Sequence, residues 1–130
     1  MQSLMTTLIL ALLLILQIGC LAHVDKQDLY GHYEARTRNA TATLILKRDM
    51  TYQQEVRFDN GDRVEAQGRW KYPSDLDDDK VELFDLYLLE SDHVRRTHDY
   101  AIPVNKSLGI VELEQSPGTG ISYRRLATEK

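Results

Sequence analysis

Two of the four histidines in this 130-residue chain stand beside an aspartate, in Asp92-His93 and His98-Asp99; the others are His23 and His32. An imidazole next to a carboxylate is a starting point for acid–base catalysis or metal binding, provided the groups converge. His93 and His98 are five residues apart. In an extended strand, where successive side chains alternate, they point to opposite faces and do not share a metal without a bulge. A site joining His98 to His32 across strands stays open as an alternative. Nucleophilic catalysis needs a Ser or Thr on a strained turn beside an oriented base, and the chain has no G-x-S-x-G. In "SDLDDDK", Asp75, Asp77 and Asp79 offer carboxylates at alternate positions. Lys80, however, stands where a calcium loop of the EF-hand type requires Gly, and Leu86 where it requires Glu. A solvated turn is the expectation there. No catalytic residue, metal or cofactor is assigned.

Cys20 is the only cysteine, so it makes no disulfide within the chain. It lies in "LILALLLILQIGCLA", residues 8–22. Met1 to Val24 contains no Asp, Glu, Lys or Arg, while all 16 basic and 20 acidic residues lie from Asp25 onward. A run this dense in Leu and Ile has too many apolar side chains for one face of a surface helix; it prefers hydrocarbon or a translocation channel. It is read as a targeting segment, apart from the fold, although its start "MQSLMTT" has only the α-amino group for positive charge. Three fates are open. The thiol carries lipid, or the chain is cleaved after Ala22, with Cys20 and Ala22 as the small residues of the site, or Leu4 to Ala22 stays as an uncleaved anchor.

The stretch "LQIGCLA" resembles the lipobox of bacterial lipoproteins, with Gly19 and Cys20 matching and Gln17 standing where that pattern usually has an aliphatic residue. The resemblance implies cleavage before Cys20 and diacylation of its thiol, two chains being enough for stable anchoring at about 0.8 kcal/mol per buried methylene. The expected organisation is a signal segment over 1–19, a lipidated Cys with a short tether over 20–28, and a β-barrel domain over 29–127. The net charge of −4, with basic residues only in pairs such as Arg95-Arg96 and Arg124-Arg125, excludes a nucleic-acid surface.

The elements that position side chains are strands. In "RVEAQGRWKY", Val64, Ala66, Gly68, Trp70 and Tyr72 alternate with Arg63, Glu65, Gln67, Arg69 and Lys71, the pattern of one face on a core and one in water. "YQQEVRF" places Tyr52, Val56 and Phe58 on one face, and the Asn60-Gly61 step between the two runs predicts a type I′ hairpin turn. "TATLILK" turns Ala42, Leu44 and Leu46 inward. "VELFDLYLLE", apolar on both faces, predicts one central strand. "LYGHYEAR", "HVRRTHDYAI", "LGIVELEQ" and "GISYRRL" bring the count to about eight. The predicted fold is all-β, a small antiparallel up-and-down meander closing into a barrel, preceded by a hydrophobic signal helix.

Gly31-His32-Tyr33, then Leu44-Ile45-Leu46-Lys47-Arg48-Asp49-Met50-Thr51-Tyr52, then Gly68-Arg69-Trp70 resemble the rhythm of small lipocalin-like envelope lipoproteins, including those of the copper-response type. Met50 stands where that family's turn has Gly, and no C-x-x-C follows Cys20, so no copper element carries over. The resemblance implies a fold and an envelope location. The expected function is a membrane-tethered, non-enzymatic binding or interaction module in the cell envelope. Its partners would be the membrane, through lipid on Cys20, and a small apolar ligand or an envelope protein. If a cavity exists, it lies near Ala66, Gly68 and Trp70, where small inward residues leave volume beside large ones; a filled interior is the competing expectation. An envelope enzyme with a cross-strand His and Asp site and a secreted inhibitor-like β domain are the alternatives.

Overall fold

Alternation dictates the architecture. Along Ala40–Leu46 the side chains of Ala40, Ala42, Leu44 and Leu46 are buried while those between them are half-exposed, and the same period runs through neighbouring strands. The structure, a computed structural model, describes residues 3–9, 24–75, 79–116 and 120–126. Cys20, Ala22 and most of the apolar run lie outside the described residues, as does Asp77. Residues 3–9 are α-helical, with Leu4, Met5, Leu8 and Ile9 exposed. Among the described residues no helix is long and apolar enough to cross a membrane.

After a 3₁₀ turn at Lys26–Leu29 the chain forms β1 (Gly31–Arg36), β2 (Ala40–Leu46), β3 (Thr51–Phe58), β4 (Arg63–Lys71), β5 (Lys80–Phe84), β6 (Tyr87–Leu89), β7 (Val94–Arg96), β8 (Asp99–Ser107), β9 (Ile110–Ser116) and β10 (Ile121–Arg125). Eight of them close an antiparallel barrel in the order β1-β10-β9-β8-β5-β4-β3-β2, with Tyr33 opposite Arg125 at the seam. This is the expected meander, with one excursion: β6 and β7 form a separate ribbon between β5 and β8.

The excursion corrects the expectation of a single strand through "VELFDLYLLE". Ladder pairing of β5 ends at Phe84 opposite Asp99, and Asp85 takes φ +62°, a left-handed conformation that short polar side chains tolerate. "HVRRTHDYAI" divides likewise into β7 and the start of β8. The turns differ too. The β3–β4 loop is a type I turn followed by Gly61 at φ +96°, closed by the Gly61 N–H on the Phe58 carbonyl at 2.9 Å, so Asn60 does not adopt the positive φ that a type I′ turn requires. The two-residue type I′ geometry is instead at Leu108-Gly109, φ +53° and +78°, between paired Ser107 and Ile110. Met50, at φ +68°, sits in a β2–β3 loop of the same kind as the β3–β4 one; a glycine in its place, as in the lipocalin-like motif, carries no steric penalty there.

The β2–β3, β4–β5 and β8–β9 connections gather at one end of the barrel with the 3₁₀ turn and Val24, where the chain enters; we call this the entry end. There Leu29 is fully buried, the Tyr33 hydroxyl donates to its carbonyl at 2.7 Å, and the Tyr72 hydroxyl donates to the Val24 carbonyl at 2.9 Å. Asp25 N–H donates to Asp28 Oδ2 at 3.0 Å, and Lys106 Nζ pairs with the same oxygen at 3.2 Å, fastening β8 to the 3₁₀ turn. The β6–β7 ribbon covers the opposite end. Asn39, in the β1–β2 loop, donates to the Asp92 carbonyl at 3.2 Å and joins the ribbon to the rim.

Candidate functional site

Ala66, Gly68 and Trp70 occupy successive inward positions of β4, in the expected phase. Trp70 is 2 % exposed; its indole Nε1 donates to the Lys47 carbonyl at 3.0 Å, and its ring meets Tyr30 edge-on at a centroid distance of 5.8 Å. Gly68 pairs with Tyr52 and Ala66 with Gln54, so the small residues of β4 lie beside large ones of β3. A Cβ built on Gly68 would stand 2.6 Å from the Phe84 carbonyl oxygen and 3.0 Å from the Tyr52 ring. That oxygen also accepts the Tyr52 hydroxyl. The volume glycine leaves is therefore used by the junction of β3, β4 and β5.

The interior on the ribbon side is organised by two buried glutamines. Gln54, 2 % exposed, donates through Nε2 to the Tyr87 carbonyl at 2.8 Å, and its Oε1 accepts the Tyr87 N–H at 2.9 Å. Gln115, 1 % exposed, does the same for Leu89: its Oε1 accepts the N–H at 2.9 Å and its Nε2 donates to the carbonyl at 2.7 Å. Gln54 is on β3 and Gln115 on β9, four places apart in an eight-stranded order, hence on opposite walls. The other edge of β6 is spent on β7, where Thr97 N–H donates to the Leu86 carbonyl and Glu90 N–H to the His93 carbonyl. Each glutamine thus supplies the donor and acceptor of the missing neighbouring strand, which a buried backbone requires. Leu86, Leu88 and Leu89 bury their side chains at the same end.

Gln54 Nε2 also donates to the Tyr123 hydroxyl at 2.8 Å. Burial pushes the phenols of Tyr33 and Tyr52 up to about 12, and raises that of Tyr123 as well. Sequence reading passed over Gln54 and Gln115. The signal was present: each is in phase with buried apolar neighbours, Tyr52 and Val56 for one, Val111 and Leu113 for the other.

Among the described residues the histidines, His32, His93 and His98, do not assemble a site; His23 lies outside the described residues. His93, in the β6–β7 turn, bonds Asp92 Oδ1 through Nδ1 at 2.7 Å and Glu90 Oε2 through Nε2 at 2.6 Å; the Asp92 carboxylate, then Glu90, raise its pKa. His98 is fully exposed and lies 3.7 Å from Asp85 rather than meeting its sequence neighbour. His32, near the start of β1, belongs to the entry end, whereas His98 precedes β8 at the ribbon end. Among the described residues no three His, Cys, Asp or Glu side chains converge to hold a metal ion. Asp75 pairs with Lys71 at 2.7 Å. Of the arginine pairs, Arg95 and Arg124 meet Glu90 and Glu112, Arg96 stacks over Tyr87, and Arg125 donates to the Tyr30 carbonyl while lying over Tyr33.

The outward side chains of β2, β3 and β4 form a concavity of about 490 Å³ lined by Thr43, Ile45, Gln53, Glu55, Glu65 and Gln67, together with Gln54 and Ala66; of the three candidate ligand residues, Ala66 alone borders it. Glu55 and Glu65 stand opposite each other in the ladder, and Arg63 bridges them at 3.6 and 3.5 Å. Fold and site thus define a closed eight-stranded antiparallel barrel with its own strand laid across one mouth. Comparison with family models, with curated proteins and with solved structures finds no match.

Proposed function

We propose that the protein is a membrane-tethered, non-enzymatic lipoprotein of the cell envelope, anchored by lipid on Cys20, whose lipocalin-like barrel is an interaction module. The observation that carries the reading is the join between an uncharged segment, Met1 to Val24, and a barrel whose mouth is occupied by its own β6. With Trp70, Tyr33, Tyr52, Tyr123 and Leu89 filling the interior, the surface free to recognise an envelope protein is the outer wall, including the concavity on β2–β4. The non-enzymatic reading is supported by the separation of His32 from His98 and by the exposure of both.

A second reading, a small apolar ligand held near Ala66, Gly68 and Trp70, is favoured by one feature. The edge of β6 facing the barrel is held by side-chain amides rather than by a strand ladder, so the ribbon is a separable cover over the interior. A fluorescent apolar probe decides between the two. Saturable binding that raises the melting temperature, and that Ala66→Leu abolishes without unfolding the barrel, favours the ligand. No shift with any apolar compound, together with destabilisation by Ala66→Leu, favours the outer surface.

A further inference from the structure

The tip of the β8–β9 hairpin breaks two local rules at once. Leu108 is 99 % exposed, and it occupies a left-handed position, φ +53°, in a turn that selects Asn, Asp or Gly. Ile110, across the turn, is 54 % exposed. A bulky side chain held in a costly backbone conformation with no folded-state contact in return points to a role outside the fold.

The position of the tip identifies its counterpart. Lys106, two residues before Leu108, is fixed to Asp28 of the 3₁₀ turn at 3.2 Å, and the chain enters that turn from Val24, itself tied to Tyr72. At about 3.3 Å per residue, Leu108 projects roughly 7 Å beyond Lys106. Cys20 precedes Val24 by four residues, at most about 14 Å of extended chain. An N-terminal segment that resides in a membrane therefore holds the entry end close against the bilayer, with Leu108 and Ile110 projecting from that end.

We propose that the Leu108–Ile110 tip enters the apolar layer of the lipid bilayer and seats the entry end of the barrel on the membrane surface. The inference rests on the membrane-tethered reading above. Two apolar side chains are too small for a stable protein interface, but on a chain already tethered at the surface insertion is an intramolecular event that needs no separate association. The charges fixed beside the tip are of both signs and paired, Lys106 with Asp28, so the contact is apolar rather than electrostatic.

The test uses the full chain reconstituted through its own N-terminal segment into phosphatidylcholine vesicles with brominated acyl chains. Leu108→Trp reports the tip, and Ser91→Trp, in the exposed β6–β7 turn at the opposite end, is the control. Brominated lipid is expected to quench Leu108→Trp several-fold more than Ser91→Trp, with little dependence on salt. If the chain floats with the vesicles but both variants are quenched equally, or aqueous iodide quenches the Leu108→Trp signal in place of lipid, the tip faces water or a protein partner and the insertion is overturned while the tether stands. If the full chain does not float with the vesicles, the tethered reading fails and the insertion fails with it.

Discussion

Gln115 bonds both backbone groups of Leu89, accepting its N–H at 2.9 Å and donating to its carbonyl at 2.7 Å, so at this residue one buried side chain stands in for the neighbouring strand that β6 lacks. Gln115→Ala leaves a buried donor and a buried acceptor without partners. The expected cost is about 2–4 kcal/mol, with amide exchange at Leu89 accelerated more than exchange in β2 or β3. Uniform acceleration across the barrel would show instead that the ribbon and the wall open as one unit.

Gly68 is the most closely confined of the described glycines. Gly68→Ala places a methyl 2.6 Å from a backbone oxygen, that of Phe84, which cannot rotate away as a side chain would. The expected destabilisation is about 1–3 kcal/mol, measured by denaturant unfolding. A neutral result would mean that β4 and β5 separate freely at this point.

The strands were legible where one face is dry and the other wet. Ala42, Leu44 and Leu46, and Ala66, Gly68 and Trp70, are read directly from their spacing because burial there has a period of two. The break at Asp85 was hidden because the apolar residues of Val81 to Leu89 continue on both sides of it, with only Glu82 and Asp85 charged. Val81 and Leu83 pack as wall, while Leu86, Leu88 and Leu89 pack as cover, and both give the same sequence signal. Leu108 misled for the converse reason: a leucine beside Gly-Ile-Val reads as strand, yet it makes the turn. The glutamine pair was legible only as polar residues in apolar rows; their common contact with β6 depends on long-range closure of the barrel, which no local pattern encodes.

The turn residues at positive φ give a prediction of opposite sign. Leu108 has no packing to lose, so Leu108→Asn is expected to stabilise the barrel by about 1 kcal/mol. Met50, at φ +68°, packs partly against the core, so Met50→Gly is expected to gain less, the relief of backbone strain being offset by lost burial. Chemical denaturation of both variants checks the order. A destabilised Leu108→Asn would contradict it.

Burial sets an alkaline limit. Desolvation raises the Tyr33 and Tyr52 phenols to about 12 in the folded state, against 10.0 ordinarily. The folded barrel therefore holds these protons more tightly than the unfolded chain. Their contribution to stability is fully present below pH 10 and is lost as pH rises from 10 to about 12. Ultraviolet tyrosinate absorbance and circular dichroism should change together as one cooperative step in that range. Ionisation of all tyrosines near pH 10 with an intact fold would show that the buried phenols are accessible to water.

The mass of the mature protein extracted from the membrane fraction tests the tethered-lipoprotein account most directly. The account predicts a chain that begins at Cys20 and carries acyl groups, with both the lipid and the membrane fractionation lost in Cys20→Ser. An intact Met1 in the mature protein, or equal lipid labelling of wild type and Cys20→Ser, would contradict it.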